Sequence, residues 1–538
     1  MHALTAPLSE LAEIEEIYEE RGREPGMLLL SGCVTSQKTH LMYALGKGYG
    51  HTLIVLSSED KAKKLYEEYR FLNENTSYYP AKDLLFYQAD IHGKQLVKQR
   101  METLQMMMEA KSQVTVITTI DGFMDELPSE AEIKGDILTI SNGEALEFES
   151  LKEKIIKLGY DREAQVDGPG QFAVRGGIID IYPLTEELPI RIEFWGDEVD
   201  SIRTFDVDSQ RSVENLEQIV IYPADDRLGS DRKVSFINYF DPKDTLVFLD
   251  EPARLLEKGR LAENEVEKAR ENRAEEMERT GEMEEAPEFF TTDEIIKFLN
   301  KFCMIGMCAL EMKCKPFFVK KRFGIQAKSV NPYNSSFEML TQDLKRLKRN
   351  GYRAVLISGS RTRAKRLAED LRDYDLSSFY SEDQEREVNP GEIMVCYGHI
   401  EVGYEYPMIK FIVISESDIF GKTKKKKKRK SYDGQKISSF SDLKPGDYVV
   451  HENHGLGIYR GIEKIEVDKV TKDYMKISYA DGGNLYILAT QLDQIQKYAS
   501  ADAKKPKLNK LGGQEWHRTK SKVKTAVWQI AKDLVELY

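Results

Sequence analysis

A multi-domain α/β protein is what the 538-residue sequence predicts: a parallel sheet with a β-rich insertion, a second α/β domain, a small all-β barrel and a C-terminal helix. The stretch from 28 to 120 alternates apolar runs with charged helical ones, the signature of a parallel sheet covered by helices. Near Leu138 the texture changes to short strands bounded by Gly and Pro. The chain is also too long for one core, since about 100 to 200 residues make a domain.

Element by element, MLLLSG (27–32) reads as a buried strand and is followed by a helix to about Lys47. HTLIVLSS (51–58), DKAKKLYEEYRFL (60–72) and VTVITTI (114–120) continue as strand, helix and strand. AVRGGIIDIYP (173–183) and PIRIEFWGDEVDSIRTFD (189–206) are strands of the insertion. DTLVFLDEP (244–252) returns to a buried strand, and the mixed-charge run to Glu288 reads as a solvated helix. A second α/β unit follows, with helix LTQDLKRLKRNG (340–351), strand YRAVLISGS (352–360), helix RTRAKRLAEDLRDY (361–374) and strands EIMVCYG and FIVIS. The run KTKKKKKRKS (422–431) holds eight Lys or Arg residues and nothing to bury, which predicts a flexible linker. From Leu443 to Tyr498, Val449, Ile458, Ile477 and Tyr486 fall in strands separated by Gly-rich turns, as in a small barrel. Val523, Val527, Ile530 and Leu534 then recur at helical spacing.

Composition removes several function classes. No stretch approaches the ~18 apolar residues of a membrane helix, and the N-terminus lacks a secretory pattern, so a cytoplasmic location is expected. Five cysteines without a CxxC pair and eight histidines without HExxH support neither a disulfide framework nor a metal centre. The net charge of −13 restricts any DNA contact to local patches.

Two motifs carry nucleotide chemistry. SGCVTSQKTH (31–40) lies between a strand and a helix, where a loop's N–H groups cradle phosphates, a Lys neutralises them and a Thr holds magnesium. Gly32, Lys38 and Thr39 fit GxxxxGK[ST], but Gln37 stands where the second glycine allows close approach of the phosphate, which predicts a relic loop. Asp250 and Glu251 end an apolar strand as a magnesium-organising pair does, although a helix start before Pro252 gives the same residues a structural role.

Three segments taken in order, YYPAKDLLFYQADIHGKQLVKQRMETL, GPGQFAVRGGIIDIYP and RIEFWGDEVDSIRTFDVDSQRS, resemble the region shared by the excision-repair protein UvrB and the bacterial transcription-repair coupling factors (Mfd), over roughly residues 25 to 340. VVHENHGLGIYRGIE and YMKISYADGGNLYILATQLDQIQKY resemble the RNA polymerase interaction domain of the latter family. KLGGQEWHRTKSKVK resembles the start of the helix leading to its motor. After Tyr79 and Pro80 there is no room for UvrB's long aromatic hairpin, which favours the coupling factors. The resemblance implies a helicase-like sheet over 1–122 and 213–335, a UvrA-binding insertion over 123–212 and a second α/β domain over 336–421. It further implies a basic linker over 422–440, a polymerase-binding module over 441–500 and a helix toward the motor over 501–538.

Its functional implications are specific. Arg162 and Arg191 fall where the family's UvrA-docking arginines lie, with Arg175 nearby and Ala173 where UvrB has a further arginine. Ordinary strand-surface ion pairs account for the same arginines equally simply. The barrel is expected to add a strand to the polymerase β subunit through residues 461–470, with Lys464, Ile465 and Glu466 as contacts, although alternation leaves open whether Ile465 faces a core. The resemblance implies ATP and magnesium for an intact relative that translocates on double-stranded DNA, no cofactor for this chain, and UvrA and RNA polymerase as partners. It also implies that the UvrA surface is covered until polymerase engages, a two-state switch. The enzymatic alternative is a UvrB-like ATPase.

Overall fold

The computed structural model describes residues 2–82, 94–225, 233–280 and 288–421 apart from Arg23, Asp208, Met312 and Gln384, and further on 435–436, 443–451, 454–467, 470–480, 482–488, 495–498, 506–510 and 516. Residues 83–93 after Pro80, 422–434 and 437–440 of the expected basic linker, and most of 501–538 lie outside the described residues, whereas Gln435–Lys436, expected in the linker, pairs as a short strand with Ile495–Lys497. Two compact units form, one from 1–82 with 99–424 and one from 83–98 with 425–538.

The first unit is built on a seven-stranded sheet in the order Val319–Gly324, Gly26–Ser31, Cys303–Met307, Thr245–Asp250, His51–Leu56, Val114–Thr119, Thr76–Tyr78. All neighbouring pairs are parallel. Continuous apolar runs such as Leu28–Leu30 and Leu53–Val55 are buried because helices cover both faces of such a sheet. Each such side chain contributes about 1.5–3 kcal/mol on burial. Parallel strands bring all their carboxyl ends to one side, so Ser31 and Asp250 point to the same edge.

The insertion is a separate six-stranded sheet in the order Ser212–Leu216, Glu198–Phe205, Ile190–Trp195, Ile178–Tyr182, Gln171–Arg175, Asp161–Arg162. The pairing of Leu138–Ser141 with Gln218–Ile221 closes this unit, so its paired elements run from 138 to 221. Helix Phe148–Lys157 presses Leu151 and Ile155 onto one face of the sheet, in a core with Ile179, Ile181, Ile190 and Ile192. Phe194 meets Phe148 edge to face with ring centroids 5.2 Å apart.

The second α/β domain has strands Arg353–Ser358, Ser378–Tyr380, Ile393–Tyr397 and Phe411–Ser415 in parallel, with Tyr404–Tyr406 antiparallel at one side. Its apolar side chains Ile357, Cys396, Tyr404, Tyr406 and Phe411 join those of the first sheet in one continuous core. Helix Thr35–Gly46 lies inside that core, with Ser36, Gln37, Thr39, His40, Leu41, Met42, Ala44 and Leu45 all buried.

His40 shows what this burial does. Its Nε2 lies 2.6 Å from the Leu4 carbonyl oxygen, which can only accept, so Nε2 carries the proton and Nδ1 accepts from the Tyr406 hydroxyl at 3.0 Å. Burial pushes its pKa down to about 4. The folded pKa lies below the unfolded value of about 6.5, so the unfolded chain binds the extra proton between them and stability falls as pH drops. We expect about 2 kcal/mol lost between pH 7 and 5 through this ring, read as a shift in the urea midpoint that His40→Gln flattens.

The second unit holds an all-antiparallel six-stranded sheet in the order Gln435–Lys436, Ile495–Lys497, Tyr448–His451, Gly455–Val467, Val470–Ser478, Asn484–Leu488. Val449, Tyr459, Met475, Ile477 and Ile487 form its core. No helix among the described residues is long and apolar enough to cross a membrane.

Candidate functional site

The loop after strand Gly26–Ser31 keeps the place of a phosphate cradle, and the N–H groups of Gly32, Cys33 and Val34 donate within the chain. Gly32 holds φ +81°, and a Cβ there would meet the Ile325 carbonyl oxygen at 2.6 Å, so this glycine is required by the packing. Its N–H donates to the Ala309 carbonyl (3.3 Å) and that of Cys33 to the Cys308 carbonyl (3.1 Å). The Val34 N–H donates to Oε1 of Gln37 at 2.9 Å. Gln37 is fully buried in the first turn of helix Thr35–Gly46, where its side-chain oxygen is the acceptor for the N–H of the residue preceding the helix.

Lys38, Asp250 and Glu251 come together, as the motifs predict, and they bind each other. Lys38 Nζ lies 2.6 Å from Asp250 Oδ1 and 2.7 Å from Glu251 Oε1. Burial alone would lower the Lys38 pKa, but the two carboxylates beside it raise it above the ordinary lysine value. Glu251 adopts a left-handed backbone, φ +54°, that costs a non-glycine residue on the order of 1–2 kcal/mol. It is held there by its N–H to Met307 O at 2.9 Å and by the Ala309 N–H donating to its Oε1 at 3.0 Å. Helix Pro252–Thr280 starts directly after it. Thr39 Oγ1 donates to Glu68 Oε2 at 2.7 Å, so both the lysine and the threonine of the motif have side-chain partners. A cavity of about 510 Å³ remains beside them, with Lys61, Lys64, Arg254 and Glu401 in its lining.

On the insertion, the three predicted arginines separate. Arg175 is exposed in the row Arg175, Ile178, Glu193, Ser201, which crosses the sheet face opposite its core. Arg191 stands two residues from Glu193 on that face, paired across to Asp180. It is bound within the chain: Nε to Asp180 Oδ1 at 2.6 Å, Nη2 to Asp180 Oδ2 at 2.8 Å, Nη2 to Gln210 Oε1 at 3.2 Å, and its guanidinium 4.5 Å from the Phe205 ring centroid. Arg162 is exposed on the edge strand opposite Phe172, three strands from Ile190 and on the alternate parity to Arg175. Ala173 is buried and sits across from Asp180.

The same face carries a residue that the motif reading passed over. Trp195 is 84% exposed at the end of strand Ile190–Trp195, on the parity of Arg191 and Glu193. Glu193 accepts from Arg203 and, at 3.2 Å, from Ser201 Oγ. Strand alternation from Ile190 and Ile192 would have placed Trp195 outward; an aromatic at that position was the available signal.

In the second unit, strand Gly455–Val467 pairs with Tyr448–His451 only through residues 455–458. From Gly461 to Val467 it pairs with Val470–Lys476 on one side, and no strand pairs with its other side among the described residues. Lys464, Ile465 and Glu466 lie in this stretch, in register with Asp473, Lys472 and Thr471.

Together these features define a multi-domain α/β protein: one unit holds a parallel sheet, a loop in which Lys38 pairs with Asp250 and Glu251, and a β-rich insertion, and a second unit holds an antiparallel sheet with one stretch of strand unpaired on one side among the described residues. Residues 138–226 match the family model of the UvrB interaction domain, and residues 443–499 match that of the CarD-like/TRCF RID domain. The chain is 30% identical over 95% of its length to a transcription-repair-coupling factor of Bacillus subtilis and 29% over 98% to one of Staphylococcus haemolyticus. It spans about half the length of these curated relatives, 48% and 49%. The resemblance to transcription-repair coupling factors read from the ordered segments is borne out by these matches.

Proposed function

We propose that this chain is the docking part of a transcription-repair coupling factor, recruiting UvrA-dependent nucleotide-excision repair to RNA polymerase stalled at DNA lesions. The observation that carries the reading is the presence, in one chain, of two matched interaction modules together with a loop in which Lys38 binds Asp250 and Glu251 and the Val34 N–H binds Gln37. In this reading the sheet is a frame that neither binds ATP with magnesium nor hydrolyses it.

The docking roles follow from the two faces. UvrA meets the outer face of the insertion, where Arg175 is free to make bidentate pairs and Trp195 offers a large apolar anchor, with Arg162 contributing at the edge. Arg191 organises that face through Asp180. The polymerase β subunit adds a strand along 461–467, where main-chain hydrogen bonds give affinity and Ile465 with its neighbours Lys464 and Glu466 gives specificity.

Co-purification with UvrA and with the β subunit tests both faces. Arg175→Ala with Trp195→Ala weakens UvrA binding at least about tenfold while the melting midpoint stays put, and Ile465→Asp removes β-subunit capture alone. A chain that captures no UvrA, or captures it equally with both substitutions, refutes the assignment.

A further inference from the structure

The hydroxyls of the phosphate loop are engaged by a group from outside the motif. Glu68, on helix Glu59–Tyr69, is 6% exposed. Its Oε1 accepts from Ser36 Oγ at 2.9 Å and its Oε2 from Thr39 Oγ1 at 2.7 Å. The backbone N–H of Glu401, in the second α/β domain, also donates to Oε1. Beside it the Val402 N–H donates to Ser36 Oγ at 3.1 Å. One carboxyl group thus collects two of the loop's hydroxyls, those of Ser36 and Thr39, and an amide of the facing domain.

Hinged pairs of α/β domains close around a bound ligand and open when it leaves. Here the acceptor at the joint is part of the chain, so it is always present at high effective concentration. We propose that Glu68 is an internal ligand, its carboxyl group taking the acceptor role of a phosphate at this loop and fastening the second α/β domain permanently onto the first. The inference rests on the reading of the loop as a relic. It adds what replaced the nucleotide and what the replacement does: it turns a hinge into a fixed joint.

The geometry makes the claim testable by chemical rescue. Removing the carboxyl group leaves the Ser36 and Thr39 hydroxyls, each 3% exposed, and the Glu401 amide without their acceptor. The adjoining cavity is lined by Lys38, Lys61, Lys64 and Arg254 and by Glu68, Asp250, Glu251 and Glu401, so removing the Glu68 carboxylate leaves four cations against three carboxylates on an anion's approach to them.

Thermal melting of the whole chain is compared for wild type and Glu68→Ala, in inorganic phosphate and in sodium chloride at equal ionic strength. In chloride the variant melts about 5 to 10 °C lower; phosphate returns roughly half of that loss in the variant and nothing beyond the chloride value in wild type. A variant that melts like wild type, or one that phosphate restores no better than chloride, overturns the proposal. Should Glu68→Ala not fold, Glu68→Gln carries the test by hydrogen exchange: the amides of Glu401 and Val402 exchange about tenfold faster, and unchanged exchange overturns it. Lys38-dependent binding of ATP to wild type would instead sink the relic reading on which the proposal rests, a different outcome from failure of the rescue.

Discussion

Lys38→Ala destabilises the first unit by about 3–5 kcal/mol, the cost of removing one partner from a buried ion cluster. The lysine is held between Asp250 and Glu251, whose side chains are 9% and 12% exposed, and its loss leaves both carboxylates facing each other, with Lys61 3.6 Å from Asp250. In a working nucleotide site the same substitution would abolish ATP binding and leave the empty fold standing, because there the lysine waits for a ligand. Chemical denaturation and labelled-ATP titration on the same variant separate the two. The expected result is a lower midpoint with no change in ATP binding; an unchanged midpoint with lost ATP binding would restore the ATPase reading. The sign with pH is also fixed. Because the folded pKa of Lys38 is raised, its contribution is complete below the unfolded lysine value of about 10.4 and fades only as pH rises through the folded value.

Arg191→Ala is the second large effect, again about 3–5 kcal/mol, confined to the insertion. Asp180 is 2% exposed and receives both arms of the Arg191 fork, so truncation leaves a buried carboxylate unpaired. Loss of UvrA capture by this variant would therefore report damage to the sheet as much as a lost contact. Arg175→Ala, at an exposed position ahead of the Gly176–Gly177 turn, changes stability within about 0.5 kcal/mol and gives the cleaner reading of the interface. The check is a double-mutant cycle: Asp180→Ala added to Arg191→Ala returns part of the lost stability. If Arg191→Ala melts like wild type, the ion pair is not what holds that face.

How much of this was legible in sequence depends on distance along the chain. Strands 26–31, 51–56, 114–119 and 245–250, the helices after them, and the change of texture at Leu138 follow from local periodicity, which is enforced by which face each residue must bury. Gln37 in the second glycine's place was also readable, since backbone angles and side-chain bulk are local properties. The partners of the motif residues were not. Lys38 meets residues 212 and 213 positions away, and Glu68 meets Glu401 at a separation of 333. No periodicity links such pairs.

The arginines show the same divide inside one small sheet. Their residue types and their place in the insertion could be read directly, yet Arg175, Arg191 and Arg162 look alike until strand pairing assigns each a row and a neighbour. Sequence by itself determined the parallel sheet, the β-rich texture after Leu138 and the presence of Gln37 where a phosphate loop has its second glycine, because each is written in contiguous residues. Only the tertiary structure decided that Lys38 and Arg191 are held by carboxylates of their own chain while Arg175 and Trp195 are exposed, because pairing and burial depend on which distant strands and helices are brought into contact.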